Sequence, residues 1–462
     1  MTDTTHPAPG IHGDEPALDL PDADRTYELD RQHVFYPWSA QASLAPMVVT
    51  GSEGSYIWDG HGNRLLDFTS QLVYTNLGHQ HPRVVEAIQR QAATLCTAAP
   101  SYATAPRSEA ARLIASHTPG DLDRIFFTAA GADANEHAIR MARLHTGRHK
   151  VLSRYRSYHG GTQLAVNVTG EPRRWPNDTG SQGTVHFFGP FLYRSRFHAR
   201  DEREECERAL AHLSEVIDME GPSTIAAIML EPVPGTSGIM VPPEGYLRGV
   251  RELCDRHGIL LIADEVMAGF GRTGHWFAIE HAAGVVPDLL TFAKGVTSGY
   301  VPLGGVAISD AVSATFAERP YPGGLTYSGH TLACAAAVAT IRTMEDEDVV
   351  GQAARLGDEV LGPGLAELAT RHAWVGEVRG AGAFWALELV RDRETREPLA
   401  PYGGSSPEMA ALAQGCISRG LLPFVNFNRL HVVPPLTISA QEAREGLSIL
   451  DEALSEARGR AT

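Results

Sequence analysis

Three stretches of the chain combine an apolar, strand-like run with residue types that can do chemistry. ILLIADEV places Asp264 at the end of one run, and TFAKG places Lys294 at the end of another. RIFFTAAGADANEHAIRMAR puts a turn of small residues between a strand and a helix, where backbone N–H groups and the helix dipole can hold a phosphate. An amine, a carboxylate and an anion cradle together suggest a site for an aldehyde that carries a phosphate and an aromatic ring nitrogen.

Lysine is scarce in this sequence, which narrows the search for a reactive amine. Among the 39 Lys and Arg residues only Lys150 and Lys294 are lysines. An arginine cannot supply a neutral, nucleophilic amine near neutral pH. Lys150 opens the run KVLSRY and is interpreted as a solvated charge, so Lys294 is the candidate. Taken singly, a lysine at a strand end is more often solvated and an acid there more often caps a helix.

The elements that position these residues alternate between about residues 84 and 340. Short apolar runs separate segments with helical periodicity, a pattern typical of a mostly parallel α/β sheet. Such sheets bind ligands at the carboxyl ends of their strands. The predicted strands are RIFFT, KVLSRY, TIAAIMLEP, ILLIADE, DLLTFAK and GGVAIS, and the predicted helices include residues 84–95 and 132–144.

Four segments are predicted along the chain. Residues 1–24 are rich in Pro, Gly, Asp and His and are expected to form a flexible arm. Residues 25–83, which include the hairpin signal YIWDGHGNRLLDF with its turn near residues 60–63, are expected to contribute to a small domain. Residues 84–345 form the large domain. Residues 346–462 form the C-terminal small α+β domain, with a helical stretch at 349–370 followed by the strand-like AFWALELV and LHVVPPLTI.

Composition disfavours several classes of partner. The 462 residues carry a net charge of -16 and no basic stripe, which disfavours nucleic acid and anionic membrane surfaces. The five cysteines form no CxxC pair, so we expect neither a disulfide framework nor a metal site. With no leader-like start and no apolar run long enough to span a bilayer, a cytoplasmic protein is expected.

The motifs in their order resemble those of one family, the class III (omega) aminotransferases. These are pyridoxal 5'-phosphate enzymes of fold type I, the aspartate-aminotransferase-like α/β fold. The resemblance runs from about residue 56 to about residue 450, and within the family it is nearest to taurine and beta-alanine type omega-amino-acid transaminases, from SQLVYTNLGHQHP, EPVPGTSGI and NRLHVVPPLTIS. The motifs that carry it are WDGHGNRLLDF, GHQHPRVVEAI, FFTAAGADANEHAIRMAR, YHG, EPVPGTSGIMVPPEGYL, LLIADEVMAGFGRTG, DLLTFAKGVTSGYVPLGG and TYSGHTLACAAAVA.

The resemblance implies a role for each residue of the site. Lys294 would hold the cofactor as a Schiff base and then move the substrate proton. Asp264 would pair with the ring nitrogen and keep it protonated. The other implied cofactor contacts are Tyr158 and Val266 on the two ring faces, His159 beside Tyr158, Gly131 and Ala132 at the phosphate, Glu231 as a site residue or equally a structural anchor, and Thr326 from a partner subunit. A homodimer or a dimer of dimers is implied with them.

The phosphate turn departs from the family pattern. Relatives commonly read Ser-Gly-Ser-Glu or Ser-Gly-Ala-Glu, whereas this chain has Ala130, Gly131, Ala132 and Asp133. Two hydroxyl donors are missing, and each contact of that kind to a phosphate is worth roughly 1.5 to 3 kcal/mol. We therefore expect the cofactor to be held less tightly than in typical relatives.

The substrate region departs as well. Many relatives carry a mobile arginine where this chain has Pro423 and Phe424, and a glutamate that neutralises it where this chain has Thr236. Recognition of an acid then falls to Arg429 or to another arginine. An omega-amino acid or primary amine is expected as the donor and a keto acid as the acceptor. The predicted pocket residues are Val73, Tyr74, Phe424 and Arg429.

Two other functions stay open on the sequence alone. The same cofactor parts serve other pyridoxal-phosphate reactions, such as decarboxylation, racemisation or an aminomutase reaction. The altered phosphate turn and the missing arginine also fit a paralogue that binds the cofactor without turnover.

Overall fold

The computed structural model describes residues 21–177 and 183–461. The strands are β1 (Val49–Glu53), β2 (Tyr56–Asp59), β3 (Arg64–Asp67), β4 (Arg124–Thr128), β5 (Lys150–Arg154), β6 (Thr184–Phe187), β7 (Ile225–Leu230), β8 (Leu260–Asp264), β9 (Leu289–Phe292), β10 (Gly304–Ile308), β11 (Val375–Ala381), β12 (Phe384–Asp392), β13 (Glu397–Pro398), β14 (Leu421–Leu422), β15 (Phe424–Asn426) and β16 (Arg429–Val432).

The helices connect these strands and cover the sheets. They are α1 (Ala23–His33), α2 (Ser70–Val73), α3 (Pro82–Thr94), α4 (Ala105–Ala115), α5 (Gly131–Thr146), α6 (Gln163–Val168), α7 (Glu202–Glu220), α8 (Tyr246–His257), α9 (Asp310–Ala314), α10 (Thr331–Asp346), α11 (Val349–Leu356), α12 (Gly362–Arg371), α13 (Pro407–Ile417) and α14 (Ala440–Ala461). Short 3-10 turns include Pro172–Arg174, Leu192–Arg194, Ala278–His281 and Lys294–Thr297, and a π turn, Gly357–Leu361, joins α11 to α12.

A seven-stranded sheet forms the centre of the molecule. Its strand order is β4-β10-β9-β8-β7-β5-β6, and β10 runs antiparallel to both of its neighbours while the other pairs are parallel. Every residue of β7, β8 and β9 is buried, as expected for central parallel strands with both faces covered. All six predicted strands are present in this sheet, and the predicted α/β fold type I class is confirmed.

The C-terminal part of the chain builds a separate antiparallel sheet in the order β11-β12-β16-β15. The N-terminal segment joins this part of the molecule, because β3 pairs in parallel with β14 in a four-stranded sheet. The pairing supports grouping residues 25–83 with the small domain. The boundaries at 83/84 and 345/346 stay predictions.

Most of the predicted N-terminal arm, residues 1–20, lies outside the described residues. Its last four residues, 21–24, are described, and the boundary at 24/25 stays a prediction. Residues 23 and 24 are helical, because Asp22 accepts a hydrogen bond from the Arg25 N–H at 2.9 Å and caps α1.

Among the described residues, none of the helices is long and apolar enough to cross a bilayer.

Candidate active site

The carboxyl ends of the central strands converge on one cavity of about 460 Å³. Strand β8 ends at Asp264, β7 is followed by Glu231, and Lys294 lies just beyond β9. The turn after β4 leads into α5 at Gly131, and the segment after β5 carries Tyr158. Sequence-predicted residues that line the cavity are Tyr74, Gly131, Ala132, Tyr158, His159, Glu231, Asp264, Val266 and Lys294.

Asp264 is a buried carboxylate held in one orientation by three donors. Its Oδ2 atom accepts hydrogen bonds from Asn135 Nδ2 at 2.8 Å and from His159 Nδ1 at 2.7 Å, and its Oδ1 atom accepts one from the Val266 backbone N–H at 3.0 Å. A carboxylate only accepts, so this contact places the proton on Nδ1 of His159. The side chain of Asp264 is 3% exposed. Its negative charge therefore faces the cavity from a fixed position.

Glu231 is both a cavity residue and an anchor for the two turns beside it. Its Oε1 atom accepts a hydrogen bond from the Tyr158 backbone N–H at 3.0 Å, and its Oε2 atom accepts one from the Gly235 N–H at 2.9 Å. Burial raises the pKa of this carboxyl, and the charge of Asp264 adds to that shift. The position of Glu231 is thus compatible with both hypotheses from the sequence, a site residue and a structural anchor.

The start of α5 forms a small, tightly packed cradle. Within the described part of the chain no side chain caps this helix, so its first-turn N–H groups are free to bind an anion. A Cβ atom on Gly131 would lie 2.7 Å from Val266 Cγ1, and one on Gly160, which has φ +136°, would lie 2.6 Å from Ala132 Cβ. Glycine at both positions therefore keeps the cradle open.

Lys294 is half-buried and has a left-handed backbone conformation with φ 49°. Such strain in a residue other than glycine is typical of functional sites. Burial lowers the pKa of its amine from 10.5 to about 8, against the opposing effects of the Glu231 and Asp264 charges. The other lysine is an ordinary surface charge, because Lys150 Nζ pairs with Glu220 Oε2 at 2.7 Å.

The guanidinium group of Arg173 stacks on the ring of Tyr158. The guanidinium carbon of Arg173 lies 3.7 Å from the centroid of the Tyr158 ring. The same carbon lies 5.5 Å from the centroid of the Trp38 ring. Arg173 Nε donates to the buried Glu171 carboxylate, while its Nη2 atom is buried and has no hydrogen-bond partner among the residues that the structure describes. Arg173 also acts to lower the pKa of Lys294. An arginine with a spare donor thus lies close to the reactive amine.

Three predicted pocket residues lie behind the cavity wall. Val73, with φ 60°, points into an apolar cluster that includes Met267 and Phe384, and Phe424 packs against the same cluster. Arg429 is 1% exposed and donates to the Ser237 carbonyl at 2.6 Å. None of these three lines the cavity, so only Tyr74 of the predicted pocket group does.

Thr326 is exposed and does not line this cavity within its own chain. That position leaves a role in a partner subunit as a prediction.

Asn135 and Arg173 lie beside the site but were not predicted from the sequence. Asn135 orients Asp264 and follows Gly131 by four positions, so the helical period placed it on the same face. Its Oδ1 atom is buried without a partner. Arg173 lies in a 3-10 turn with no periodic signal, and only the fold brings it over Tyr158.

The residues present fit pyridoxal phosphate. The start of α5, with glycines at 131 and 160, would hold a phosphate, the fixed carboxylate of Asp264 would pair with a ring nitrogen, and Lys294 would supply an amine of lowered pKa. When bound, the cofactor supplies a protonated ring that draws electrons from the substrate carbon losing its proton.

Comparison with known proteins decides the family. The model of the aminotransferase class-III family matches residues 38–454. The chain belongs to the class-III aminotransferases. It is therefore a pyridoxal-phosphate-dependent aminotransferase, and the recognised resemblance, the enzyme class and the cofactor are confirmed.

Relatives with established names agree with this assignment. The taurine–pyruvate aminotransferase of Rhodobacter capsulatus is 34% identical, over 94% of this chain and 97% of its own. The 5-aminovalerate aminotransferase of Pseudomonas aeruginosa is 35% identical, over 89% and 94%. The structure of taurine:2-oxoglutarate aminotransferase from Bifidobacterium kashiwanohense, in complex with PLP and glutamate, superimposes with a TM-score of 0.92 and 41% identity over 95% of this chain and 99% of that one.

The lowered pKa of Lys294 predicts how the apoenzyme takes up its cofactor. Only the neutral amine attacks the aldehyde, so the rate of covalent uptake should rise with pH, with a midpoint near pH 8, and level off above it, where the Lys294 amine has lost its proton. Stopped-flow absorbance of apoenzyme mixed with pyridoxal phosphate measures this rate. N-acetyl-lysine methylamide in free solution is the control, and a rate for the protein that keeps rising towards pH 10.5 in the same way would contradict the prediction.

The two alanines of the phosphate turn predict weak retention of the cofactor. We expect gel filtration in cofactor-free buffer to strip the wild-type enzyme, and Ala130→Ser or Ala132→Ser to slow the loss by about tenfold, because each adds a charge-assisted donor. Residual cofactor absorbance per subunit is the measurement. Full retention by the wild type, or no gain in either variant, would contradict this explanation.

Proposed function

We propose that this aminotransferase takes its amino group from an omega-amino acid and passes it to a keto acid in a ping-pong cycle. The two named relatives and the solved taurine:2-oxoglutarate enzyme support a donor with an acid group far from its amine. The observation that carries the proposal is Arg173, a cation with a buried, unpartnered Nη2 atom, stacked on the cavity residue Tyr158.

Arg173 fits recognition of an acid on three counts. Its guanidinium is fixed, because Glu171 accepts from Nε and two aromatic rings lie against it. One donor is left over, and an unsatisfied buried donor is costly unless a ligand completes it. Guanidinium groups also match the planar oxygens of carboxylates and the oxygens of sulfonates. Arg173 is thus proposed to bind the acid end of the substrate.

Arg429, the arginine singled out from the sequence, is proposed as a secondary contributor. It lies opposite Glu388 in the β12–β16 pair, and its Nη1 atom is already bound to the Ser237 carbonyl. Its Nη2 atom is buried without a partner. Thr236, which precedes Ser237 in the chain, lines the cavity, so Arg429 lies close to it. Rotation of the Arg429 side chain towards the cavity would bring a second cation to a dicarboxylate acceptor.

The remaining residues have proposed roles in the reaction. Lys294 would accept the proton from the substrate carbon and return it later in the cycle, a task suited to an amine whose pKa is about 8. Asp264, fixed by its three donors, keeps the ring nitrogen protonated. Tyr158 and Val266 cover the ring faces and exclude water, and Glu231 holds the Tyr158 turn in place.

A substitution of Arg173 separates acid recognition from chemistry. We expect Arg173→Gln to lower kcat/KM for beta-alanine and taurine by about 10-fold to 100-fold, through loss of one charge-assisted contact, and to leave propylamine nearly unaffected. Arg173→Lys should recover part of the loss. The rate at which donor alone changes the cofactor absorbance measures this effect.

The exposed Arg124, whose side chain is 70% accessible, provides a matched control as Arg124→Gln. An equal loss with propylamine would show that Arg173 only supports the fold. No activity of the wild type with any omega-amino acid would overturn the proposed donor class.

We propose a homodimer, alone or paired into a dimer of dimers, in which the exposed Thr326 of each subunit contacts the phosphate bound in the other, and a cytoplasmic enzyme. A fully active monomer in sedimentation would contradict the role of Thr326.

A further inference from the structure

A second cavity, of about 290 Å³, is lined by arginine and aromatic side chains. No acidic residue is among its lining in the part of the chain that the structure describes. Such a concentration of positive charge is unexpected in a chain with a net charge of -16. The lining includes arginines at positions 154, 156, 194 and 196 and aromatic rings at 188, 191 and 402.

Arg154 is the most buried of these cations. Its exposure is 2%, its Nη2 atom donates to the Pro190 carbonyl at 3.3 Å, and its Nε atom is buried without a partner. The guanidinium is packed under Gly189, where a Cβ atom would lie 2.7 Å from Cζ. No carboxylate pairs with it among the described residues. A buried guanidinium without an anion is costly, which points to a negatively charged ligand.

Arg156 is held in the cavity by rings instead of acids. Its guanidinium carbon lies 5.3 Å from the Phe191 centroid and 5.1 Å from the Tyr402 centroid. The backbone at Arg156 has φ 61°, and its N–H donates to the Gly170 carbonyl at 2.8 Å. The strained backbone and the two rings fix the side chain, while the described residues offer its donors no carboxylate.

Two described carboxylates beside these arginines, Glu377 and Glu388, are already engaged, and Glu377 pairs with Arg379. Glu388 pairs with Arg194 at 2.7 Å and with Arg379 at 2.7 Å, and these cations, with Arg429, help hold its pKa at about 2. Arg196 is exposed, lies 5.9 Å from the Phe188 ring, and has no ion pair in the described part of the chain. Arg154, Arg156 and Arg196 thus have no ion pair among the described residues, and only the more distant charges of Glu231 and Glu388 act on Arg154 and Arg156.

We propose that this cavity binds a small phosphate monoester carried on a planar ring. Guanidinium forks bind phosphate oxygens in pairs, and several of them converge here without acids. Aromatic side chains at 188, 191 and 402 offer faces on which a planar ring can stack. The site is separate from the catalytic cavity, since the two share no lining residue.

Isothermal titration of the holoenzyme with phenyl phosphate tests the proposal, in a buffer free of phosphate. We expect saturable binding, at least about tenfold weaker binding of inorganic phosphate, phenol and benzoate, and an unchanged cofactor absorbance. Arg156→Gln and Arg196→Gln should each weaken phenyl phosphate by about tenfold or more. Arg124→Gln, a change at an exposed arginine outside this cavity, should not.

Several results would overturn the proposal. These are an absence of saturable binding, equal affinity for phenyl phosphate and inorganic phosphate, unchanged affinity in both cavity variants, or an equal loss in Arg124→Gln. Displacement of the cofactor on titration would place the binding in the catalytic cavity and would likewise overturn it. Because the test needs no turnover, its failure is distinct from a failure of the proposed donor class.

Discussion

The buried negative charge of Asp264 is the constraint on which the rest of the site depends. A carboxylate at 3% exposure is stable only when donors or cations replace water, and here Asn135, His159 and the Val266 N–H supply them. Each of these donors comes from a different segment of the large domain. The position of the charge therefore requires α5, the segment after β5 and the turn after β8 to be in place together. A bound cofactor with a protonated ring nitrogen completes the compensation.

The parallel sheet explains why so many functional groups meet without long loops. Strands β7, β8 and β9 run side by side in the same direction, so Glu231, Asp264 and Lys294 emerge at one edge within a few residues of their strand ends. Close packing then tunes them. Gly131 leaves room for Val266, and burial lowers the pKa of Lys294 to about 8. The same burial raises the pKa of Glu231, whose backbone contacts keep the Tyr158 turn in register.

The sequence was informative where a residue follows directly from a periodic element. Asp264 and Lys294 end buried strands, and Gly131 begins a helix, so their positions followed from pattern and residue type. The direction of a side chain in an irregular segment or in a strand pair could not be predicted from pattern and residue type. The left-handed Val73 turns into the core while its neighbour Tyr74 faces the cavity, and Arg429 points towards Glu388 because the two are cross-strand partners. Arg173 depends on a tertiary contact with Tyr158 that no local pattern contains.

We infer that Asp264 keeps the ring nitrogen of the bound cofactor protonated. Nitrogen NMR of holoenzyme loaded with cofactor isotopically labelled at that atom measures this state directly. We predict a protonated ring nitrogen in the wild type across the pH range of activity, and a neutral one in Asp264→Asn, since the amide removes the negative charge while keeping the shape. A neutral ring nitrogen in the wild type, or a protonated one in both proteins, would contradict the claim.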